Sequence, residues 1–246
     1  MNPPRLIAVD IGNSSTKVGW FAEPSAAAET LRQPTSVHGF ATGQTPPDEL
    51  LAAMPPEVCE WRIASVHREG TRVLTKWLDL HRPEDVVRLL DVHDLPITVR
   101  VEFPERVGLD RLAAAVAANL LRESGRPAIV IGAGSAITVN LLASDGAFEG
   151  GAILPGFRMS AEALYGADLL PLALLEPDAD VPPVVGKNTE AAIRSGLFWG
   201  ALGGVREIIT RMTAQFDRPP QVFVTGGDLR PLAAQLGGEE IGRAHV

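Results

Sequence analysis

Cysteine is nearly absent from this chain of 246 residues: Cys59 stands alone. That excludes an intramolecular disulfide and any zinc site built from several thiolates. The five histidines show no metal-ligand spacing. Positive charge is also scarce, with 22 Lys and Arg against 30 Asp and Glu and a formal net charge of −8. An acidic chain without a basic cluster suits neither nucleic acid nor an anionic membrane, so neither is expected as a partner. Any anionic ligand must be held locally, by backbone amides and a few placed cations. Long apolar runs are missing too. The longest uncharged stretch, Pro127 to Ser144, is interrupted by Gly, Ser, Thr and Asn, and two strands around a glycine turn explain it better than a membrane span. The start, Met1-Asn2-Pro3-Pro4-Arg5, leads into a short apolar run broken by Asp10 and does not read as a signal peptide. A soluble, cytoplasmic protein is expected.

What is present is enough apolar material for real cores: 46% of residues are hydrophobic and only 21% charged, which argues against wholesale disorder. Runs rich in Ile and Val, bounded by turn residues, predict strands at Leu6–Ile11, Thr16–Phe21, Arg62–Val66, Ile97–Val101, Ala128–Ile131, Ala136–Leu142 and Val222–Thr225. Helices are predicted over Arg111–Arg122, roughly Ser160–Leu169, and Thr189–Phe216, the last capped by Asn188 or Thr189 and bent at Gly203-Gly204. The segment Glu23–Pro47, rich in Ala, Pro, Ser and Thr, fits no pattern.

One internal repeat organises the rest. Ile7 to Val18 and Ile129 to Val139 are each a buried strand, a turn of Gly and hydroxyl residues, and a second strand. The copies lie half a chain apart. They predict two similar α/β domains, residues 1–115 and 116–246, each opening with a hairpin and facing a shared cleft.

The first turn, Asp10-x-Gly12-Asn13-Ser14-x-x-Lys17, is a candidate phosphate loop. A tight turn exposes backbone N–H groups that can hold phosphate oxygens; Asp10 at the strand end could hold Mg²⁺ directly or through water, and Lys17 could reach a phosphate as a point charge. The plain alternative is an ordinary hairpin, but a carboxylate on a buried strand needs a partner. Gly132-Ala133-Gly134-Ser135-Ala136-x-Thr138 is the matching turn, although small residues there need no ligand. Gly108-Leu109-Asp110-Arg111 heads an Ala-rich helix. Asp110 reads either as a helix-start acid or as the carboxylate that takes a hydroxyl proton, with Arg111 binding a substrate carboxylate. Glu149 to Gly156 brings backbone close to something, ligand or packing, and Thr225-Gly226-Gly227 could let an adenine lie against backbone.

In this order the motifs resemble the type III pantothenate kinase family over nearly the whole chain: Asp10 to Ser14 with Lys17, Ile63 to Val66, Pro104 to Arg111, Gly134 to Thr138, Gly150 to Gly156, Gly186-Lys187-Asn188-Thr189 through Gly196, and Thr225 to Gly227. The resemblance implies the actin/hexokinase-like fold, of two ribonuclease H-like domains flanking a nucleotide cleft, and a homodimer. It implies transfer of the ATP γ-phosphate to pantothenate, the first step toward coenzyme A, with Mg²⁺ and a monovalent cation, K⁺ or NH₄⁺. By the same resemblance Asp10, Gly12, Asn13, Ser14, Ser15, Thr16 and Lys17 bind ATP and Mg²⁺, and Ser135 also contacts ATP. Gly108, Leu109, Asp110 and Arg111 bind pantothenate, Asp110 is the base, and Thr189 touches pantothenate in the neighbouring subunit. The second domain carries the adenine site and the dimer contacts.

The chain departs from the family at three places. Gly132 stands where the family has an aspartate associated with the monovalent cation, and Asp10 pairs with the same Gly132 in the internal repeat. Val101 stands where a tyrosine commonly lines the pantothenate pocket. The resemblance also implies a short strand and closing helix beyond Val246. The alternative is a catalytically weakened relative on the same fold, sensing nucleotide or pantothenate or acting as an accessory factor.

Overall fold

The computed structural model describes residues 5–21, 31, 33–167, 170–175, 180–226, 230–236 and 239–240. The chain divides into two compact units. The first is built on Met1–Pro96 with Phe103–Leu121, the second on Ile97–Glu102 with Arg122–Arg243.

In the first unit, β1 (Arg5–Ile11) and β2 (Ser15–Phe21) form a hairpin, β3 (Ser36–Ala41) adds to β2, and β4 (Cys59–Ser65) and β5 (Val86–Leu89) run parallel on the other side of β1. The sheet order is β3-β2-β1-β4-β5. Alternation along β1 sends Ile7, Val9 and Ile11 into the core, where they meet Trp61 and Ile63 of β4. Helices α1 (Asp48–Ala53), α2 (Arg68–His81) and α3 (Leu109–Leu121) complete the unit. Leu74, Trp77 and Leu78 share one face of α2 and join the same core. The α2 N-terminus is capped by the His67 ring, which accepts from the Gly70 N–H at 2.9 Å. Asp85, before β5, accepts from the Trp61 indole (2.8 Å) and the Cys59 N–H (3.0 Å) and pairs with Arg82 (2.9 Å), tying β4 to the end of α2.

In the second unit, β6 (Ala128–Ala133) and β7 (Ala136–Leu142) form the hairpin, β8 (Phe148–Pro155) adds to β7, and β9 (Gln221–Thr225) and β10 (Glu239–Glu240) run parallel beyond β6. The order β8-β7-β6-β9-β10 repeats the first sheet strand for strand, so the sequence repeat is a repeat of topology. Helices α4 (Phe157–Tyr165), α5 (Thr189–Thr213) and α6 (Arg230–Leu236) belong here. Ile193, Phe198, Leu202 and Val205 are the buried apolar residues of α5, and the last three pack with Ile129, Ile131 and Val139 of the sheet.

Several expectations need correcting. Ile97–Val101 is not a strand: it makes one bridge, Val99 to Phe148, flanked by two backbone hydrogen bonds. The pairing ends where Gly150, at φ +100°, and a register shift turn β8 out of line. The unplaced segment contains β3, four of whose six residues are exposed and two half-buried, leaving no apolar rhythm to read. α3 starts at Leu109 and α4 at Phe157, earlier than expected, and α5 ends at Thr213, before Phe216. Residues 168 and 169, in the expected helix to Leu169, lie outside the described residues.

Candidate functional site

In the first unit the chemistry gathers at the carboxyl ends of β1 and β4. Asp10, one residue from the end of β1, is in register with Lys17 across the hairpin, so both side chains leave the same face of the sheet. The Lys17 Nζ lies 3.9 Å from Asp10 Oδ2, and the Asp10 side chain is only 14% exposed. Burial pushes the Asp10 carboxyl above its usual range, Lys17 opposes this, and the negative charge of Asp110 raises it further. Asp10 and Asp110 therefore stand within one another's field. A largely buried carboxylate, a second carboxylate repelling it and an ammonium at 3.9 Å set the electrostatics here, with the Arg111 guanidinium beside Asp110.

Between Asp10 and Lys17 the turn is held by its own backbone, the Gly12 N–H donating to Ser15 O at 3.0 Å. Asn13, Ser14 and Ser15 are exposed, whereas Thr16 is buried. Thr16 faces the interior of the unit, its hydroxyl 3.0 Å from that of Thr42.

Gly108 precedes α3, and its carbonyl accepts from the N–H groups of Arg111 (3.1 Å) and Leu112 (3.3 Å). The Asp110 carboxylate folds back over it: a Cβ at Gly108 would lie 2.4 Å from Asp110 Oδ1 and 3.4 Å from Val66 Cγ1. Glycine is thus what allows Asp110 its present position. Arg111 is half-buried; burial lowers its affinity for its proton and Asp110 works against this.

In the second unit Gly132 is in register with Thr138 on β7 and Thr225 on β9. A Cβ at Gly132 would lie 2.9 Å from Thr138 Oγ1, and Asn140, buried behind it, donates to the same hydroxyl at 3.3 Å. A hydroxyl therefore occupies the space beside the missing carboxylate. The turn is one residue shorter than the first and is closed in the corresponding way: Gly134 N–H donates to Ala136 O and Gly156 N–H to Ser135 O, both at 3.1 Å. The Gly150–Gly156 segment brings its backbone close to the protein itself. A Cβ at Gly151 would meet Val139 O at 2.1 Å, and one at Gly156 would meet Gly134 O at 2.3 Å. Gly226, at φ +116°, lies equally close to Ala133 O; Gly227 lies outside the described residues. Val101 Cγ1 lies 3.5 Å from a Cβ position on Gly150. Thr189 is exposed at the start of α5, whose cap is Asn188, accepting from Ala191 N–H at 2.8 Å.

Sequence reasoning missed Thr42 and Gly70. Thr42 follows β3 and bonds the first turn at three points; a Cβ at Gly70 would lie 2.7 Å from Thr42 Cγ2. Ala41-Thr42-Gly43, within the unplaced segment, offered a turn signal, but nothing to connect it with Gly12.

Known proteins resemble this chain in sequence and in fold. A type III pantothenate kinase from Jannaschia sp. is 45% identical over 57% of this chain, and the chain spans about half that relative's length, 52%. The type III pantothenate kinase of Desulfosudis oleivorans is 34% identical over 93% of this chain and 89% of its own length. Among solved structures, a Campylobacter jejuni protein assigned provisionally to the Baf family of transcriptional activators superposes with a TM-score of 0.57 at 17% identity, covering 95% of this chain and 89% of its own. A Sinorhizobium meliloti protein assigned provisionally as a 2-dehydro-3-deoxygalactonokinase gives 0.57 at 17%, covering 98% and 94%. At that identity the likeness speaks for the fold alone, the two-domain actin/hexokinase-like α/β fold. The family model described as type III pantothenate kinase matches residues 6–211, and with the Desulfosudis relative it shows that this chain belongs to the type III pantothenate kinase family.

Proposed function

We propose that this chain phosphorylates pantothenate with ATP, giving 4'-phosphopantothenate and ADP. The observation that carries the reading is the pair of carboxylates in the first unit, Asp10 and Asp110, close enough to raise Asp10. They differ in setting. Asp10 is buried beside Lys17, and Asp110 is exposed at a helix start with Arg111 next to it. In this reading Asp110 accepts the proton of the pantothenate hydroxyl as its oxygen attacks the γ-phosphorus, and the bond to the β,γ-bridging oxygen breaks to release ADP. Arg111 binds the pantothenate carboxylate, and Gly108 and Leu109 line the approach. The amides of the exposed turn Asn13 to Ser15 and the Lys17 ammonium hold ATP phosphates; Gly12, whose N–H donates to Ser15 O, and Thr16 contribute by fixing the turn. Ser135 is a nucleotide contact of the second turn.

The Asp10 carboxylate, desolvated and repelled by Asp110, suits Mg²⁺, which takes one or two protein carboxylates and completes its shell with waters and substrate phosphates. When bound, Mg²⁺ neutralises the phosphate charge that develops during transfer. A monovalent cation does not fit the position of Gly132 in the same way, because that position offers no side-chain ligand.

The proposal extends to a homodimer in the cytoplasm, with Thr189 completing the partner's pantothenate site. Exposed Ile153, Tyr165, Val184 and Val185 in the second unit support a partner-covered surface, and no helix among the described residues is long and apolar enough to cross a membrane. The test is direct: incubate the full chain with pantothenate and MgATP and identify the product by mass. ADP release without phosphopantothenate refutes the substrate, and no turnover with either refutes the activity.

A further inference from the structure

We propose that Thr42 is a positioning residue for nucleotide binding, presetting the turn Gly12–Ser15 from behind; this rests on reading that turn as the phosphate loop. Thr42 is the first residue after β3, thirty positions from Gly12 in sequence. Its hydroxyl donates to the Gly12 carbonyl at 2.8 Å. That uses its one proton, so the 3.0 Å contact with Thr16 is a bond donated by Thr16. The order is therefore fixed: Thr16 hydroxyl to Thr42 hydroxyl to Gly12 carbonyl. The Thr42 N–H donates separately to Ser14 O at 3.2 Å. One residue thus engages both ends of the exposed turn.

The direction of these bonds matters for an anion. Across a trans peptide the C=O and the following N–H point opposite ways, so a Gly12 carbonyl turned toward Thr42 turns the Asn13 N–H away from it. Donors aimed before the ligand arrives bind more strongly than donors that must first be ordered. Thr42 is itself held in place. Its Cγ2 stands where a Cβ at Gly70 would come within 2.7 Å, and Ile11 Cγ2 stands 2.9 Å from the same point. The first turn of α2 therefore closes on Thr42 only because residue 70 is glycine.

The second unit supports the assignment by its own geometry. Gly156 directly follows β8, as Thr42 directly follows β3. Gly156 N–H donates to Ser135 O as Thr42 N–H donates to Ser14 O. There the backbone alone lies against the turn, with no room for a side chain. The residue after the third strand braces the turn in both copies, and only the first copy adds a hydroxyl.

Two variants of the full chain separate positioning from mere stability. Thr42→Val keeps the shape and the N–H but removes the hydroxyl; Thr42→Ser keeps the hydroxyl and removes the methyl group that packs on Gly70. MgATP affinity is measured by titration calorimetry, and thermal stability alongside it. The expected result is MgATP binding about three- to tenfold weaker in Thr42→Val, the worth of one hydrogen bond. Thr42→Ser is expected to bind like wild type even though it melts lower. Should Thr42→Val not fold, Thr16→Val removes the hydroxyl that orients Thr42, and the same weakening is expected. Wild-type affinity in the folded Val variant, or affinity that follows melting temperature across the set, overturns the role of Thr42 and leaves the phosphate-loop reading intact. A wild-type chain that binds no MgATP overturns both.

Discussion

Gly108→Ala is expected to give a folded protein that hardly turns over. A methyl group at Gly108 would stand 2.4 Å from Asp110 Oδ1, and contacts under 3.0 Å are essentially never made, so that oxygen must retreat by at least about 0.6 Å. The backbone gives no relief, because Gly108 is tied to α3 through Arg111 and Leu112. The carboxylate must rotate away. A displacement approaching 1 Å of a group that must meet a reacting atom costs on the order of 10²-fold in rate, within the roughly 10²–10⁴ that a general base is worth. Stability should move little or rise, since removing glycine restricts the unfolded chain by about 0.4–1 kcal/mol where the backbone is compatible. The assay is initial rates against pantothenate and MgATP, with a thermal melt of each protein. The reasoning requires kcat to fall while the KM for MgATP and the melting temperature hold. Wild-type kcat in a folded Gly108→Ala protein would refute it. So would a loss of activity matched by a loss of fold, which would make Gly108 a packing residue.

Asp10→Asn should abolish phosphoryl transfer yet raise the melting temperature at neutral pH without Mg²⁺. Because burial and Asp110 raise the folded carboxyl above its unfolded value, the native state binds the proton more tightly, and stability is lost as pH rises through the window between the two values. The gain in the Asn variant should therefore disappear below the unfolded carboxyl range; a melt difference that does not change with pH contradicts this. Gly132→Asp should create K⁺ dependence only once Thr138 yields the space beside it, so Gly132→Asp with Thr138→Ala should respond to a K⁺ titration of initial rates more than Gly132→Asp alone. Superimposable curves for all the proteins would remove Gly132 from any cation site. Gly156→Ala drives a Cβ to within 2.3 and 2.6 Å of two backbone oxygens and should cost about 3 kcal/mol, the upper range for overpacking; denaturant unfolding measures it, and a loss under 1 kcal/mol would show that the second turn can shift.

Much of this was legible because it is local. The strands at Leu6–Ile11 and Ala136–Leu142 announce themselves by Ile and Val between turn residues, and both form with their ends within one residue of expectation. The repeat was legible because the two buried hairpins face the same packing demand. What escaped notice was exposed or distant. β5 is the four-residue run Val86-Val87-Arg88-Leu89, exposed throughout; too short and without alternation to read as a strand, it takes its place in the sheet from pairing with β4. Ile97–Val101 has a strand's composition but meets a neighbour that bends away at Gly150. Thr42 is the sharpest case: its importance lies in bonds to residues 26 to 30 positions away, and a lone threonine in a polar segment carries no sign of them. The glycines of Gly150–Gly156 were visible as a demand for close approach, and only the fold shows that β7 and the second turn are what they approach.

The two hairpins also show which features of the repeat belong to the backbone and which to the chemistry. Both turns are closed by the same pair of bonds, one within the turn and one from the residue after the third strand. That pattern needs no particular side chain, only a residue that fits: threonine beside Gly12, glycine beside Gly134. The side chains in register at the base of each turn have diverged. The first copy sets Asp10 opposite Lys17 and the second sets Gly132 opposite Thr138. A buried, repelled carboxylate with one ammonium at 3.9 Å is a costly arrangement for a protein to keep without a ligand. The neutral pair, with its hydroxyl fixed by Asn140, costs nothing comparable. Ion chemistry is therefore expected at the first copy. At the second, a ligand would meet backbone and hydroxyl groups, and the contact should depend little on salt.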